Sequence, residues 1–573
     1  MISFKLSQFV TFIESHLVAD ASQYAVFHRL TGQIVEPSPT VRAVLRASKL
    51  GSPLSLEIEQ LAKLGNDGLQ IRRLIEERFL IPDGDDPLAT FVDYLVVRPL
   101  QNPDITYRDH SGNIILARLS MAERIYSPAR GQLPPVIEER MPPLATDLLL
   151  AADGTMTLRQ IHATIGTKSG SPLEDDEFRT TLEFLTTSDR QLIKLASNKD
   201  ILMDPFQPPN LVPRDFYHLS RWPATGAAAK SIHEFHVEGI EDGVWEFDVI
   251  EPTINHALRF PSQVLAGLDY GSRFCDEAFE RDLLKSPNNG DLKILEVGGG
   301  TGSFACSFIP RAQSRVPSLS YQIMDLSPAL AESQRQMLST VGIPVSFTAQ
   351  DATDFDLPDQ TFDLIIANEV IADFPVARVQ RRGNGGNLSD FAGDGAVYLS
   401  KYELLLENAP DDFYVNAGVF RFLERAWRHL TPGGTLILSE YGSQTHYPVE
   451  SFHLNHPEFT IHFGHVTECA RQIGYNSRLE TLIGFLGIDV QQRVLNGREE
   501  HIRCLRDVFK KYGVDLPFAL YSEADFNAGY GELITRAHIN PIRFLPLSSR
   551  YYYGANVDDF FVLILTKPCV NSD

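Results

Sequence analysis

The sequence predicts an α/β protein whose C-terminal half holds a doubly wound, mostly parallel sheet, preceded by small α+β modules. Three observations predict it. The apolar run Leu292–Val297 feeds a glycine-spaced loop and then a helical stretch, the crossing that opens such sheets. Further strand runs follow at Ser320–Asp325, from Val345, at Phe362–Val370 and from Leu430, with helix-forming stretches between them. The N-terminal half instead alternates hairpin signals with short amphipathic helices.

Length sets the domain count. A chain of 573 residues exceeds one hydrophobic core. The expected division is a small α+β module over 1–95, a second module over 96–205, and a linker with a helical cap over 206–285. The catalytic domain then runs over 286–573, with insertions near 376–415 and 445–550. Apolar residues make up 43% and charged residues 22%, ordinary for a folded chain. The balance of 51 basic and 74 acidic residues gives 51 − 74 = −23. Such a surface repels phosphate backbones and anionic lipid, which excludes nucleic acid and membrane as main partners. The five cysteines are scattered, with no CxxC pair, and predict neither a disulfide framework nor a metal site. The N-terminus has no secretory signature and no apolar run reaches membrane-spanning length, so the expected location is the cytoplasm.

Along the N-terminal half, Ala25–Pro39 reads as a hairpin about Thr31-Gly32. Helical periodicity follows in Ser55–Gly65 and Leu69–Pro82. A second unit opens with a hairpin around Ser111-Gly112, continues through two helices broken at Asp153–Thr155, and closes with an acidic amphipathic helix and a short strand. The Pro-rich segment Phe206–Gly226 has linker composition, and 255–285 reads as helical.

The chemistry concentrates at the predicted strand ends. The first strand ends in Glu296, and Gly298, Gly300 and Gly302 supply a loop in which backbone can approach a ligand without a Cβ between them. A dinucleotide site uses a similar turn, so the loop alone does not decide. Asp325 ends the second strand, with Leu326 beside it, where a carboxylate can accept both ribose hydroxyls. Gln350 and Asp351, followed by Ala352, suit an adenine edge. Asn368 and Glu369 end the fourth strand, and Leu430–Gly442 is a Pro-Gly turn feeding a fifth.

This ordered series resembles the Rossmann-like class I methyltransferases, which implies S-adenosyl-L-methionine as cofactor. Methyl transfer asks the protein mainly to align nucleophile, methyl and sulfur, and a polar or anionic residue then orients or deprotonates the acceptor. Asn368 and Glu369 stand where such a group belongs, although an acid there also suits a helix N-terminus. Glu296 fits either the donor's ammonium or the glycine-loop amides.

A narrower resemblance covers roughly residues 290–500. Ala367–Gln380 (ANEVIADFPVARVQ) is similar to the NE-x-x-D-x-x-P-V segment of the MidA family, whose mitochondrial member methylates an arginine of a complex I subunit. Asp325–Leu338 is similar to that family's acid-x-S-x-x-L-x-x-x-Q helix. Phe459–Tyr475 is similar to its I-T-A-H-V-D-F segment, and Leu482–Val494 to its F-L-L-x-L-G-I-D stretch. The resemblance implies Glu369, Asn368, Asp373 and His462 as catalytic candidates. Three positions depart from it: the family aspartate falls on Ala372, with Asp373 one place later; Asp325 replaces a usual glutamate; Gly464 replaces an aspartate. The glycine-rich insertion Arg381–Ala396 reads as a mobile loop over the site.

His453, His456, His462 and His465 lie in a Pro-broken segment without zinc-site spacing, so no metal is expected. Tyr551–Tyr553 reads as a core edge before the apolar strand Asp558–Leu565. The module over 96–205, on the pattern from Pro142 to Ala196, resembles a PqqD-like winged helix over roughly residues 100–200, a module that recognises a leader peptide by adding it to an exposed sheet edge.

The combined reading is a methyltransferase acting on a peptide or protein side chain, an arginine or similar nitrogen first. Two other readings fit the same residues. One is a small-molecule natural-product N- or O-methyltransferase whose N-terminal half forms a lid or homodimer interface. The other is a donor-binding assembly factor without catalysis.

Overall fold

The computed structural model describes residues 2–14, 24–49, 54–56, 62–98, 104–119, 136–166, 170–187, 190, 192–197, 254–284, 290–382, 388–453, 456–495, 499–517, 519–548 and 560–569. Phe206–Gly226 and Tyr551–Tyr553 lie outside them. The chain divides into two compact units. One comprises 1–222 with 500–516 and 531–543; the other comprises 223–499 with 517–530 and 544–573.

The second unit is built on one sheet. Its strands are β1 (Leu292–Val297), β2 (Leu319–Met324), β3 (Val345–Thr348), β4 (Phe362–Asn368), β5 (Leu430–Ser443), β6 (Asn476–Thr481) and β7 (Phe560–Thr566). Their spatial order is β3-β2-β1-β4-β5-β7-β6. The pairs among β1 to β5 are parallel, and β7 runs antiparallel between β5 and β6. Both faces of such a sheet are covered, so the strands carry apolar runs rather than alternation. Leu364 to Ala367 and Leu436 to Leu438 are accordingly buried.

Chain order reverses direction across the sheet between β1 and β4, the switch point where a crevice opens at the carboxyl ends. Register aligns those ends: Val297 pairs with Met324 and with Ala367, and Asn368 pairs with Ser439. The loops leaving β1, β2 and β4 therefore emerge side by side. Helix Ser303–Gln313, which follows the glycine loop, touches helix Tyr270–Glu280 at Gly271. A Cβ there would lie 2.3 Å from Ser307 Oγ and 2.6 Å from the Phe304 carbonyl oxygen.

The glycine-rich centre of the insertion, 383–387, lies outside the described residues, and the stretches beside it are held in a small sheet. Ala377–Arg381 is a strand flanked by Phe391–Ala392 and Asp412–Val415 in a three-stranded antiparallel sheet. Val379, Phe391 and Phe413 are buried in the main core of this unit, and that apolar burial fixes the segment.

In the first unit both predicted hairpins form, Tyr24–His28 with Ile34–Val35 and Ile105–Arg108 with Ile114–Leu119. The acidic helix is Asp176–Thr186, capped by the Asp175 carboxylate accepting the Phe178 N–H, and the short strand is Lys194–Ala196. The break at Asp153–Thr155 does separate two helices, Pro143–Ala151 and Leu158–Thr164, and it takes the form of a strand, Asp153–Thr157, pairing with Leu95–Val97. One assignment needs correction: Leu54–Leu56 is a strand opposite Ile2–Phe4, not the start of a helix, because cross-strand pairing outweighs a local signal only a few residues long.

His28 lies fully buried in this unit, its ring 5.3 Å from both Phe79 and Phe91. Neither ring nitrogen has a hydrogen-bond partner among the described residues. Burial pushes its pKa down to about 4. The folded state thus binds this proton less well than the unfolded chain, whose histidine titrates near 6.5. Stability contributed here is intact above that value, falls as the pH drops below it, and stops falling near 4. A drop of up to about 3 kcal/mol across that window is expected, and His28→Phe should flatten it. Urea unfolding between pH 7 and pH 4, followed on both proteins, checks this.

Candidate active site

The glycine loop leaves β1 with Gly298, Gly300 and Gly302 at φ +69°, +52° and +89°. Gly298 is packed, since an added Cβ would lie 2.4 Å from Val370 Cγ2. Gly300 differs: a Cβ there would meet nothing within 4 Å. The loop is thus tight on its protein side and open on the other.

The other donor-site candidates stand at the carboxyl ends of β1, β2 and β3. Glu296, the buried acid near the end of β1, accepts the Tyr321 hydroxyl at 2.9 Å, and burial raises its pKa to about 7. Asp325 follows β2, one carboxylate oxygen accepting the Ser327 N–H at 2.9 Å and the other the Gln334 amide at 2.8 Å. Leu326 is half-buried beside it. After β3, Gln350 accepts the Asp356 N–H at 3.0 Å. The exposed Asp351 accepts the Thr353 N–H at 2.7 Å and leads into the buried Ala352.

At the end of β4 lies a buried polar network. Asn368 Oδ1 accepts the Tyr270 and Ser439 hydroxyls, each at 2.6 Å. Both lone pairs of that oxygen are thereby engaged, and the amide nitrogen turns toward Glu369, 3.5 Å from Oε1. Glu369 has φ +52°, a backbone region that non-glycine residues rarely adopt. Its carboxylate accepts two backbone N–H groups, from Ile254 and Asn255, both at 2.9 Å. On β5, Glu440 accepts the N–H of Tyr441 at 2.9 Å and of Ala372 at 3.3 Å. Burial, with the Glu369 charge adding to it, pushes the Glu440 carboxyl well above its usual range.

Two candidates remain. Asp373 is half-buried in the 3-10 turn Ile371–Asp373. His462 pairs with Ser443, four residues past the Asn368–Ser439 level and so roughly 13 Å further along the strand direction. There its Nδ1 caps helix Phe463–Ile473 by accepting the His465 N–H at 3.1 Å, and its ring stacks on His465 at 3.7 Å. Burial pushes its pKa down to about 3, which keeps the ring neutral. Among the described residues no group of three or more His, Cys, Asp or Glu is placed to hold a metal.

Sequence reasoning missed Tyr270, Ser439 and Tyr321, and reached Gln334 only as the last residue of the acid-x-S-x-x-L-x-x-x-Q resemblance. Tyr270, Ser439 and Tyr321 act on partners 98, 71 and 25 positions away, so only the fold brings them to the strand ends. Register would have found Ser439, because it stands opposite Asn368 once β4 and β5 pair.

These residues fit S-adenosyl-L-methionine. The open face of Gly300 is a cradle that a side chain would fill, and the Asp325 and Asp351 carboxylates stand at the ends of the next two strands. Glu296 supplies an acid at the strand end.

Residues 280–451 match the family model described as "Putative S-adenosyl-L-methionine-dependent methyltransferase". No curated protein matches the sequence. Solved structures similar to the chain include a Haemonchus contortus phosphoethanolamine N-methyltransferase 2, in complex with S-adenosylhomocysteine and phosphomonomethylethanolamine. It is 12% identical at TM-score 0.31, and the match covers 61% of this chain and 61% of that one. An uncharacterized superfamily protein from Burkholderia thailandensis is 16% identical at TM-score 0.32, covering 60% of this chain and 94% of that one. A Leishmania major S-adenosylmethionine-dependent methyltransferase is 14% identical at TM-score 0.26, covering 44% and 79%. The sheet order, the glycine loop and the family match define this unit as a class I, S-adenosyl-L-methionine-dependent methyltransferase domain. Among the described residues no helix is long and apolar enough to cross a membrane.

Proposed function

We propose that the chain methylates a nitrogen of a peptide or protein side chain, arginine first, and that its N-terminal unit recognises the peptide. The observation that carries this reading is the carboxylate pair Glu369 and Glu440 at the ends of adjacent strands, beside the donor loop. Bound donor supplies a methyl group already activated on a sulfonium. The protein's part is to hold the acceptor in line and take its proton. Paired carboxylates suit a guanidinium, which is planar, cationic and able to donate to two acids at once. An arriving cation favours the ionised form of Glu440 and so converts it to a proton acceptor. Asn368 supports this site, Asp373 stands in the turn that follows Glu369, and His462 acts from a distance by capping helix Phe463–Ile473. Glu296, Gly298, Gly300, Gly302, Asp325, Leu326, Gln350, Asp351 and Ala352 hold the donor.

Support for peptide recognition comes from the first unit. Its helices Pro143–Ala151, Leu158–Thr164 and Asp176–Thr186 accompany a small sheet of Asp153–Thr157, Leu95–Val97 and Lys194–Ala196. A sheet of this size offers edges to an added strand. The net charge of −23 favours a basic segment.

The test is transfer of labelled methyl from S-adenosylmethionine to an array of arginine-containing peptides, with the modified residue located by mass spectrometry. Label on an arginine nitrogen is expected. Label on small amines or phenols alone, with every peptide blank, would replace this reading with a small-molecule methyltransferase.

A further inference from the structure

Gln334 lies two turns into helix Pro328–Met337 and is fully buried, yet it is a polar side chain under the glycine loop. Its Nε2 donates to the Gly300 carbonyl at 2.9 Å and to Asp325 Oδ2 at 2.8 Å. Both partners are pure acceptors, so the amide can have only this orientation. That leaves Gln334 Oε1 buried without a hydrogen-bond partner. An unpaired buried carbonyl is unfavourable and persists where the groups it leaves in place are needed.

The packing agrees. A Cβ on Gly299 would lie 3.3 Å from Gln334 Nε2, and one on Gly302 would lie 3.3 Å from Gln334 Cα. The loop is therefore seated directly on this residue. Asp325 is held from two sides, by Gln334 on Oδ2 and by the Ser327 N–H on Oδ1. These two bonds fix the orientation of the carboxylate beside the loop.

We propose that Gln334 is a positioning residue of the donor site: it ties the glycine loop to the ribose-binding acid, so that Gly300 and Asp325 meet the ligand in one geometry. The inference rests on the donor-site reading and adds the residue that sets ribose selectivity. Gln334→Met keeps length and burial but cannot donate. It frees the Asp325 carboxylate to rotate, and the loss should fall on the sugar contact.

Titration calorimetry with S-adenosylhomocysteine and its 2′-deoxyribose analogue, on wild type, Gln334→Met, Asp325→Asn and the double variant, tests this. Wild type should favour the ribose ligand, and Gln334→Met should lose about tenfold in affinity for it and far less for the deoxy analogue. The double variant should lose little more than Asp325→Asn alone, because both act through one contact. Equal losses for both ligands would overturn the inference, marking Gln334 as packing only. Selectivity unchanged in Gln334→Met would overturn it as well, while leaving the donor site standing. Wild type that binds neither ligand would overturn the donor-site reading and this inference together.

Discussion

Gly300→Arg should abolish donor binding while leaving the fold intact. The position is the one glycine of the loop proper, 298 to 302, whose added Cβ meets no protein atom within 4 Å, at Gly300 φ +52°. A Cβ there meets no protein atom, so the protein should fold. The backbone conformation disfavours an L-residue by about 1–2 kcal/mol, which lowers the melting temperature of a unit this size by a few degrees. The guanidinium and its stem, however, occupy the space that the loop leaves for the ligand. A loss of more than 100-fold in S-adenosylmethionine affinity is expected, equivalent to at least about 2.8 kcal/mol. Gly300→Asn is the control for strain, since asparagine tolerates this region, and should lose several-fold less. Calorimetric titration of both variants beside wild type measures the difference. Wild-type affinity in Gly300→Arg would show that the open side of the loop is not the donor cradle.

How much of this was readable in the sequence depends on how local the signal is. The strand–loop–helix from Leu292, the acid after β2 and the Leu430–Ser443 strand are contiguous patterns in which side-chain period and glycine spacing carry the information. The sequence placed these correctly, and the parallel order followed from the alternation of strands and helices. The insertion is legible only in part: its glycine-rich centre, 383–387, lies outside the described residues, while the stretches beside it form a sheet. Val379, Phe391 and Phe413 are apolar residues spaced too irregularly to announce a sheet, yet all three are buried. The polar network resisted for another reason. Tyr270 and Asn368 are 98 positions apart, and nothing near Tyr270 distinguishes its hydroxyl from that of an ordinary core-edge tyrosine. Glu369 is the instructive case, because the sequence allowed two roles, acceptor-site acid or helix-start acid. The structure gives its carboxylate to the first amides of Ile254–Ala257 while placing it at the mouth of β4.

Replacing the carboxylates should separate binding from chemistry. Glu369→Ala should lower methyl transfer at least about 100-fold, the scale of a lost acid–base group. Affinity for S-adenosylhomocysteine should stay within about threefold, because the residue lies past the end of β4 and not in the glycine loop. The left-handed backbone at Glu369 points the same way, since strained φ values at non-glycine positions persist where the site requires them. Glu440 adds a pH signature. Its folded carboxyl titrates well above the unfolded value because of burial and then the Glu369 charge. The folded state therefore holds this proton more tightly than the unfolded chain. Stability from that difference is fully present at low pH and is lost as the pH rises through the folded value. Glu440→Gln keeps an acceptor oxygen and removes the titration, so its melting temperature should pull ahead of wild type as the pH is raised. Its methyl transfer should fall by at least about tenfold over the same range, the trade between stability and activity that a functional buried acid imposes. Melting curves and initial rates at pH 5, 7 and 9 on both proteins measure the two effects together. A variant that gains no stability at alkaline pH would show that Glu440 is ionised in the free protein, held so by a cation or donor that the Tyr441 and Ala372 amides do not supply. A variant that gains stability without losing activity would place the acceptor's proton on Glu369 alone.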